Sequence, residues 1–164
     1  MYVDIVENGV SLDLLHLLGF KKALIIGKDV NIGTKQAKNL LVALDLMGDS
    51  QAAKLIKSPM CIGAVSEFSK PIGEQVFKAL GEDRKVFAIS ARAFIANELR
   101  LKHASFAFAR AKRAKALPVI ASFAKKDLEL FSPMQLIRLA MLLGADMPEA
   151  KSMLRWLDAS KEKA

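Results

Sequence analysis

Short apolar runs alternate with amphipathic segments along most of this 164-residue chain. The apolar runs predict strands, because strands of a parallel sheet covered on both faces contain few polar positions. The predicted strands span residues 2–6, 23–26, 40–46, 60–65, 85–90 and 118–122. The run at 40–46 is too short for periodicity to separate a strand from a buried helix, and we favour a strand because it keeps the alternation.

Start and stop signals for helices lie between the strands. The predicted helices span residues 11–19, 48–56, 73–81, 97–116, 132–144 and 146–157. The clearest signal is at Ser132, which can cap a helix, with Pro133 in its first turn and Gln135 completing a capping box. Gly144 supplies a left-handed end to that helix, and Gly81 is predicted to end an earlier one.

Six strands alternating with helices predict an α/β fold with a mostly parallel sheet. The length is typical of one domain, so we assign residues 1–164 to a single domain, with a frayed tail at 158–164. A complete eight-unit barrel usually needs about 200 residues or more. We therefore expect a trimmed or distorted TIM-like (β/α) barrel, and an open doubly wound sheet is the alternative.

The charge balance is strongly positive, with a net charge of +8 at pH 7. An excess of Lys and Arg can serve solubility alone. It also suits a nucleic-acid partner, because cations that meet phosphates release counterions and gain affinity without sequence preference.

The segment 97–116 concentrates that charge in one predicted helix. Leu101, Ala104 and Phe108 share a face that would dock on the sheet, whereas Leu99 and Phe106 form a ridge almost opposite. The basic residues around this second ridge are Arg100, Lys102, Arg110, Lys112, Arg113 and Lys115. Two interpretations stay open: a helix covered on both sides by its own chain, or a surface where the cations bind RNA and Leu99 and Phe106 contact a partner.

Three further cations follow predicted strands. Arg92 comes after the fifth strand, and Lys125 and Lys126 come after the sixth. Ligands of parallel α/β folds bind at this edge, so these residues are candidates for phosphate contacts. Solvated loop charges are the alternative.

Motifs for catalysis are sparse. His16 and His103 are the only histidines, and neither has a second His or Cys at ligand spacing, so no protein-bound metal is predicted. The glycine spacing in residues 27–35 does not match a phosphate-binding loop. Cys61 lies in an apolar strand and is interpreted as a core thiol. We expect no catalytic residues in this chain.

The compartment is predicted from absences in the sequence. No apolar run approaches the ~20 residues of a membrane span, and the first residues lack a secretory signal pattern. A single cysteine suits a reducing environment. We expect a cytoplasmic protein.

A series of short motifs runs through the second half of the chain. In order, they are Phe87-Ala88-Ile89-Ser90, the basic helix, residues 119–124, Asp127-Leu128, Ser132-Pro133, Leu142-Leu143-Gly144 and Ala150. Together they resemble ribonuclease P protein component 3, whereas the first half resembles that family only in its strand–helix rhythm. Two positions depart from the family pattern: Phe131 stands where an Arg is usual, and Phe123 where a small residue is usual.

The resemblance implies a barrel-like fold and a non-catalytic subunit of archaeal-type ribonuclease P. In that enzyme the RNA subunit, with Mg²⁺ bound to RNA, removes the 5′ leader from precursor tRNA. The protein would stabilise the catalytic RNA and work beside ribonuclease P protein component 2 and other ribonuclease P proteins. Two alternatives are a metal-dependent phosphoesterase on the same barrel and a subunit that binds only protein.

Overall fold

The structure is a computed structural model that describes residues 2–97 and 99–155. Its strands are β1 (Val3–Val6), β2 (Lys22–Ile25), β3 (Asn31–Gly33), β4 (Leu40–Ala43), β5 (Cys61–Ser66), β6 (Val86–Ser90) and β7 (Leu117–Ala121). Its α-helices are α1 (Leu12–Leu17), α2 (Asp49–Ile56), α3 (Glu74–Glu82), α4 (Ala93–Ala96), α5 (Leu99–Arg113), α6 (Pro133–Leu142) and α7 (Met147–Met153). The chain therefore has the α/β fold that the alternation predicts.

All strand pairings in the two sheets are parallel. One sheet has the order β3-β4-β5-β6-β7, and the other joins β1 to β2. Adjacent strands in the larger sheet follow one another in the sequence, so a helix or connecting segment leads from each strand to its neighbour. The carboxyl ends of these strands consequently lie at one edge.

Two apolar clusters form the core, one on each face of the strands. The first combines strand residues with helix residues such as Ile56, Val76 and Phe108. The second combines alternate residues of both sheets, including Ile5, Leu41 and Val119. Among the described residues this second cluster contains none from a helix, so the helices pack on one face and the strands share the other.

Hydrogen bonds connect the smaller sheet to the segment that follows β7. The backbone N–H of Phe123 donates to the carbonyl of Ile5 at 2.9 Å, and that of Glu7 donates to Ala124 at 2.9 Å. Val6 and Ala124 also form an isolated parallel bridge. At this end, β1 is therefore held beside the extension of β7.

Several sequence predictions are confirmed. Five predicted strands agree with the structure to within one residue. Ser132 and Gln135 form the predicted capping box at the start of α6, and Gly144 adopts a left-handed conformation with φ of 107° after its end. Asp146 caps α7 by accepting from the Glu149 N–H. Leu157 and the predicted tail at 158–164 lie outside the described residues.

Other boundaries were wrong. The predicted strand at 40–46 ends at Ala43, and Leu44–Leu46 is a 3-10 turn. Helix α3 continues past Gly81 to Glu82. A Cβ at Gly81 would lie 1.8 Å from the Ala114 carbonyl oxygen, so this glycine permits close packing and does not terminate the helix.

Two short elements had no sequence prediction. β3 has only three residues, all partly exposed, and α4 has four, so neither provides a full hydrophobic period. The long basic segment forms α5 between Leu99 and Arg113, shorter than the predicted 97–116. None of the described helices combines the length and the apolar character needed to cross a membrane.

Candidate functional site

Helix α5 packs on the fold through one side. Ala104, Ala107, Phe108 and Ala111 are buried, and Leu101 is partly buried. Three of these are alanines, so the backbone of α5 can approach α3 and β7 closely. The predicted docking face of this helix is therefore correct, and its depth depends on small side chains.

The opposite side of α5 is solvent-exposed along its length. Residues three or four apart on a helix share a face. Here the exposed residues at that spacing are Leu99, Lys102, His103, Phe106, Arg110 and Arg113, which we call the outer stripe. Leu99 is 74% exposed and Phe106 is 63% exposed. Within the described residues, this ridge is not covered by the chain itself.

Arg110 connects the outer stripe to two neighbouring grooves. Its Nη1 donates a hydrogen bond to the Ile72 carbonyl at 3.2 Å. One groove, of about 270 Å³, is lined by Arg110 with Phe106, His103 and the Pro71-Ile72 segment. A second groove, between α3 and α5, is lined by both Arg110 and Arg113, and its other charged residues are Glu74, Lys78 and Glu82. The structure thus brings these two arginines together beside Phe106.

Other cations of the segment 97–116 lie off the outer stripe. Lys112 forms an ion pair with Glu149 of α7 at 2.8 Å, and its Nζ lies 5.2 Å from the centre of the Phe108 ring. Arg100 is half-buried, and Lys115 lies beyond the end of α5 in a left-handed conformation with φ of 66°. Lys112 therefore links two helices, a role that the sequence alone did not reveal.

The three cations predicted at the strand ends lie in a separate region. Arg92 forms an ion pair with Glu67, and Lys125 Nζ lies 3.5 Å from a Glu7 carboxylate oxygen. Lys126 is exposed. Two of these three candidates already have a carboxylate partner, so they differ in electrostatics from Arg110 and Arg113, which form no ion pair with any described carboxylate.

Arg92 and Lys125 line a cavity of about 460 Å³ at the carboxyl ends of the strands. The other lining residues are Glu7, Ile26, Ile32, Ala43, Asp45, Leu46, Val65, Glu67, Ser90 and Phe123. We call this space the edge cavity. Its walls are largely apolar. Its charged residues follow five different strands, and Ser90 is the last residue of β6.

Asp45 organises one wall of the edge cavity. Its carboxylate accepts from the hydroxyls of Ser66 and Ser69 and from the backbone N–H groups of Glu67 and Ser69. Burial alone would raise the pKa of Asp45, but these hydrogen bonds stabilise the anion more strongly and hold its pKa below the usual value. Asp45 therefore serves as a structural anion that fixes the segment after β5.

Asp4 is a second buried carboxylate, on β1. Its Oδ1 accepts from the Ile5 N–H at 2.9 Å and from the Ser122 N–H at 2.7 Å, which ties β1 to the end of β7. Its Oδ2 is buried and has no hydrogen-bond partner among the described residues. Burial raises the pKa of Asp4 to about 6.

Serines end or follow three neighbouring strands and are all buried: Ser66, Ser90 and Ser122. Ser66 donates to Asp45, and the Ser122 hydroxyl accepts from the Phe131 N–H at 3.2 Å. The Ser90 hydroxyl has no partner among the described residues. Sequence reasoning missed Ser90 and Asp45; a polar residue at the carboxyl end of each apolar run was the available signal.

The remaining candidate groups have local explanations. His16 Nδ1 lies 3.0 Å from the Phe20 carbonyl, at the end of α1. Cys61 is buried, and burial raises the pKa of its thiol. Across residues 2–97 and 99–155, no group of three or more His, Cys, Asp or Glu side chains is arranged to hold a metal ion.

Comparison with known proteins does not identify a family. No protein-family model matches the chain, and a search of curated proteins found no match either.

Proposed function

We propose that the chain is a non-catalytic subunit of an archaeal-type ribonuclease P that binds and stabilises the catalytic RNA. The RNA, with its own Mg²⁺, would remove the 5′ leader of precursor tRNA in the cytoplasm. The proposal combines the motif resemblance in the second half of the chain with the surface of α5.

The outer stripe is the observation that carries the proposal. An apolar ridge with cations beside it is unlike an ordinary solvated helix face, which is polar throughout. Arg110 and Arg113 lie together along the groove between α3 and α5, which Glu74 and Glu82 also line, and neither arginine forms an ion pair with a described carboxylate. Two such cations can bind neighbouring phosphates without base preference.

Phosphate contacts would stabilise the RNA by reducing repulsion between its strands. Each cation that meets a phosphate releases a condensed counterion, so the gain is largest at low salt. Arg110 has its guanidinium held at the Ile72 carbonyl, which limits the freedom that it loses on binding. Lys102 extends the same charged surface towards the start of α5.

Leu99 and Phe106 are proposed as contacts with a protein partner, component 2 in the resemblance. Aromatic residues are enriched at the centres of protein interfaces, and arginine beside them is typical of such surfaces. Phe106 lies next to Arg110 along one groove, so RNA and protein contacts would meet on α5.

We further propose that the strands form a distorted TIM-like barrel. The shared apolar cluster of alternate strand residues supports this arrangement, since a barrel has one interior and helices outside. The parallel bridge between Val6 of β1 and Ala124, which follows β7, supports closure of the barrel on one side. An open doubly wound sheet would instead have helices on both faces.

Phe123 departs from the family pattern in its side chain, but its backbone conformation is one that the pattern allows. Its φ is 51°, in the left-handed region that glycine adopts most readily, and the family usually has a small residue there. The strain of a non-glycine residue at this position is offset by burial of the phenyl ring among both sheets. A large side chain is thus compatible with a backbone that suits the family pattern.

Reconstitution tests the proposal. The full chain is combined with a ribonuclease P RNA and component 2, and cleavage of precursor tRNA is measured at low Mg²⁺. We expect the chain to lower the Mg²⁺ needed for cleavage and to bind RNA with an affinity that falls steeply with salt.

Two controls separate the alternatives. Phosphodiester cleavage by the chain alone with added metal would support the phosphoesterase. RNA affinity no greater than that of a charge-matched basic protein, together with binding to component 2, would support a protein-only subunit. Either result contradicts the proposed function.

A further inference from the structure

The edge cavity has the location and size of a ligand site. The residues that line it come from β3 and from the carboxyl ends of β1, β2 and β4–β7, the edge at which parallel α/β folds bind ligands. Its volume of about 460 Å³ lies within the range of small-molecule pockets. It is also separate from the outer stripe of α5, with which it shares no lining residue.

The buried hydroxyl of Ser90, which has no hydrogen-bond partner among the described residues, is independent support for a ligand site. Ser90 lines the edge cavity and is only 1% exposed, yet its hydroxyl has no hydrogen-bond partner among the described residues. A buried polar group without a partner costs free energy. A ligand in the cavity that hydrogen-bonds Ser90 would remove that cost.

The charges of the cavity select against phosphate inside it. Three carboxylates, Glu7, Asp45 and Glu67, face two cations, Arg92 and Lys125. Asp45 is already saturated by four hydrogen bonds, and Arg92 is paired with Glu67. The excess negative charge favours a neutral ligand with N–H donors, which the Glu67 carboxylate can accept.

The apolar walls favour a ligand with an apolar face. Val65 and Phe123 belong to the apolar cluster between the sheets, and Ile26 and Ile32 pack against it. An unstacked nucleobase has an apolar face and a polar edge, and proteins hold such bases by combining apolar contact with hydrogen bonds to that edge.

We propose that the edge cavity binds one nucleobase with an exocyclic amine, either adenine, guanine or cytosine. The amine donates to Glu67, Ser90 supplies a further hydrogen bond, and the attached phosphate stays outside the cavity. The base comes from a free nucleotide or from a single-stranded position in bound RNA; for the second source the inference rests on the proposed function.

Nucleosides test the base preference directly. Adenosine, guanosine, cytidine, uridine and ribose 5-phosphate are titrated into the full chain, and amide and methyl NMR shifts are recorded. We expect shifts at Val65, Ile32 and Ser90 with at least one amino-bearing nucleoside, roughly tenfold tighter than with uridine, because uracil lacks the amine that a carboxylate accepts. Equal binding of ribose 5-phosphate, or no shift at the cavity, overturns the proposal.

Two variants separate ligand contact from structure. Ser90→Ala is expected to weaken nucleoside binding several-fold while the chain stays as stable or gains stability, because an unsatisfied hydroxyl is removed. Glu67→Gln is expected to remove the preference over uridine. Glu82→Gln, which also breaks an ion pair but lies outside the cavity, is the matched control and should leave binding unchanged. Destabilisation by Ser90→Ala without loss of binding contradicts the assignment.

Oligonucleotides distinguish the source of the base and separate this inference from the proposed function. Short single-stranded cytosine and uracil RNAs of equal length carry equal charge. Tighter binding of the cytosine RNA, lost in Glu67→Gln, indicates RNA as the source. If nucleosides bind the cavity but RNA affinity matches a charge-matched control, the cavity assignment stands and the proposed function fails. If RNA binds but no nucleoside shifts the NMR signals of the cavity residues, the proposed function stands and the cavity assignment fails.

Discussion

Two phenylalanines of α5, only two residues apart, face opposite surroundings. Phe108 is 2% exposed in the apolar core between helices and strands, whereas Phe106 is 63% exposed on the outer stripe. A separation of two residues turns a helix by about 200°, so the two rings point in nearly opposite directions. The same side chain therefore stabilises the fold in one case and is exposed to solvent in the other.

The charges follow the same division. Lys112 lies towards α7, where Glu149 pairs with it, and Arg110 and Arg113 lie on the stripe beside Phe106. All three residues are cations, and their angular positions on the helix differ. The comparison shows that a neighbouring helix pairs with one cation of α5 and leaves two others without a described ion-pair partner.

The largest expected effect comes from the buried ring. Phe108→Ala should lower the free energy of unfolding by about 3–5 kcal/mol, because it removes buried surface and leaves a cavity. Phe106→Ala should change it by less than about 0.5 kcal/mol, since its ring is mostly exposed. Urea denaturation of both variants measures the difference. Equal destabilisation would show that Phe106 is covered, and the comparison would fail.

Asp4 is a buried titratable group, in contrast to the exposed cations of α5. Its folded pKa of about 6 exceeds the unfolded value of 3.8, so its contribution to stability is present below pH 3.8 and lost as pH rises through 6. The loss is about 3 kcal/mol from the difference in pKa. Asp4→Asn should abolish this part of the pH dependence, measured by denaturation between pH 4 and 8.

The pH dependence of stability that Asp45 contributes has the opposite sign, so it serves as a check on the effect assigned to Asp4. Its lowered pKa contributes stability that is present above its unfolded pKa and is lost as pH falls through the folded value. The difference between wild type and Asp4→Asn isolates Asp4 from this background. An identical pH profile for both proteins would mean that Asp4 does not titrate as its burial requires.

Removing the two stripe arginines should affect RNA binding but not stability. Arg110→Gln with Arg113→Gln is expected to weaken RNA binding about tenfold at moderate salt and to reduce the salt slope by roughly 1.5 to 2, for two lost phosphate contacts. The matched control, Lys57→Gln with Lys112→Gln, removes the same charge from cations that already have carboxylate partners. A slope that changes equally in both double variants would contradict the role of the stripe.

The smallest effects on stability are expected at two cations of α5, Lys112 and Arg113. Lys112→Gln should lower the free energy of unfolding by about 0.2–1 kcal/mol, because a partly exposed ion pair contributes little. Arg113→Gln should lower it by less. A double-mutant cycle of Lys112 and Glu149 measures the coupling energy between the two side chains. Zero coupling would show that this ion pair does not stabilise the packing of α5 against α7.

Much of the fold could be predicted because its signals are local. Ser132, Gln135 and Gly144 specify the start and end of α6 through their own side chains and backbone, without help from distant residues. Apolar runs specify the long strands for the same reason. The errors arose where a distant contact decides: the glycine at position 81 leaves room for the Ala114 carbonyl and does not mark a helix end, and β3 is a strand because β4 pairs with it.

The candidate site was predictable only in part. The outer stripe followed from helical spacing, so Leu99, Phe106, Arg110 and Arg113 could be grouped before their exposure was known. The ion pairs of Arg92 and Lys112 could not, since Glu67 and Glu149 are far away in the chain. The edge cavity depends on several strands meeting at one edge, and the motif that contains Ser90 does not indicate that its hydroxyl lacks a partner.

By itself, the sequence determined the α/β alternation, the caps of the helices, the excess of positive charge and the two faces of α5, because each depends on residues close together in the chain. The tertiary structure alone decided which cations are neutralised, that Asp4 is buried against Ser122, and that Ser90 is left without a partner beside a cavity. These features require side chains from distant segments to meet, and packing sets that geometry.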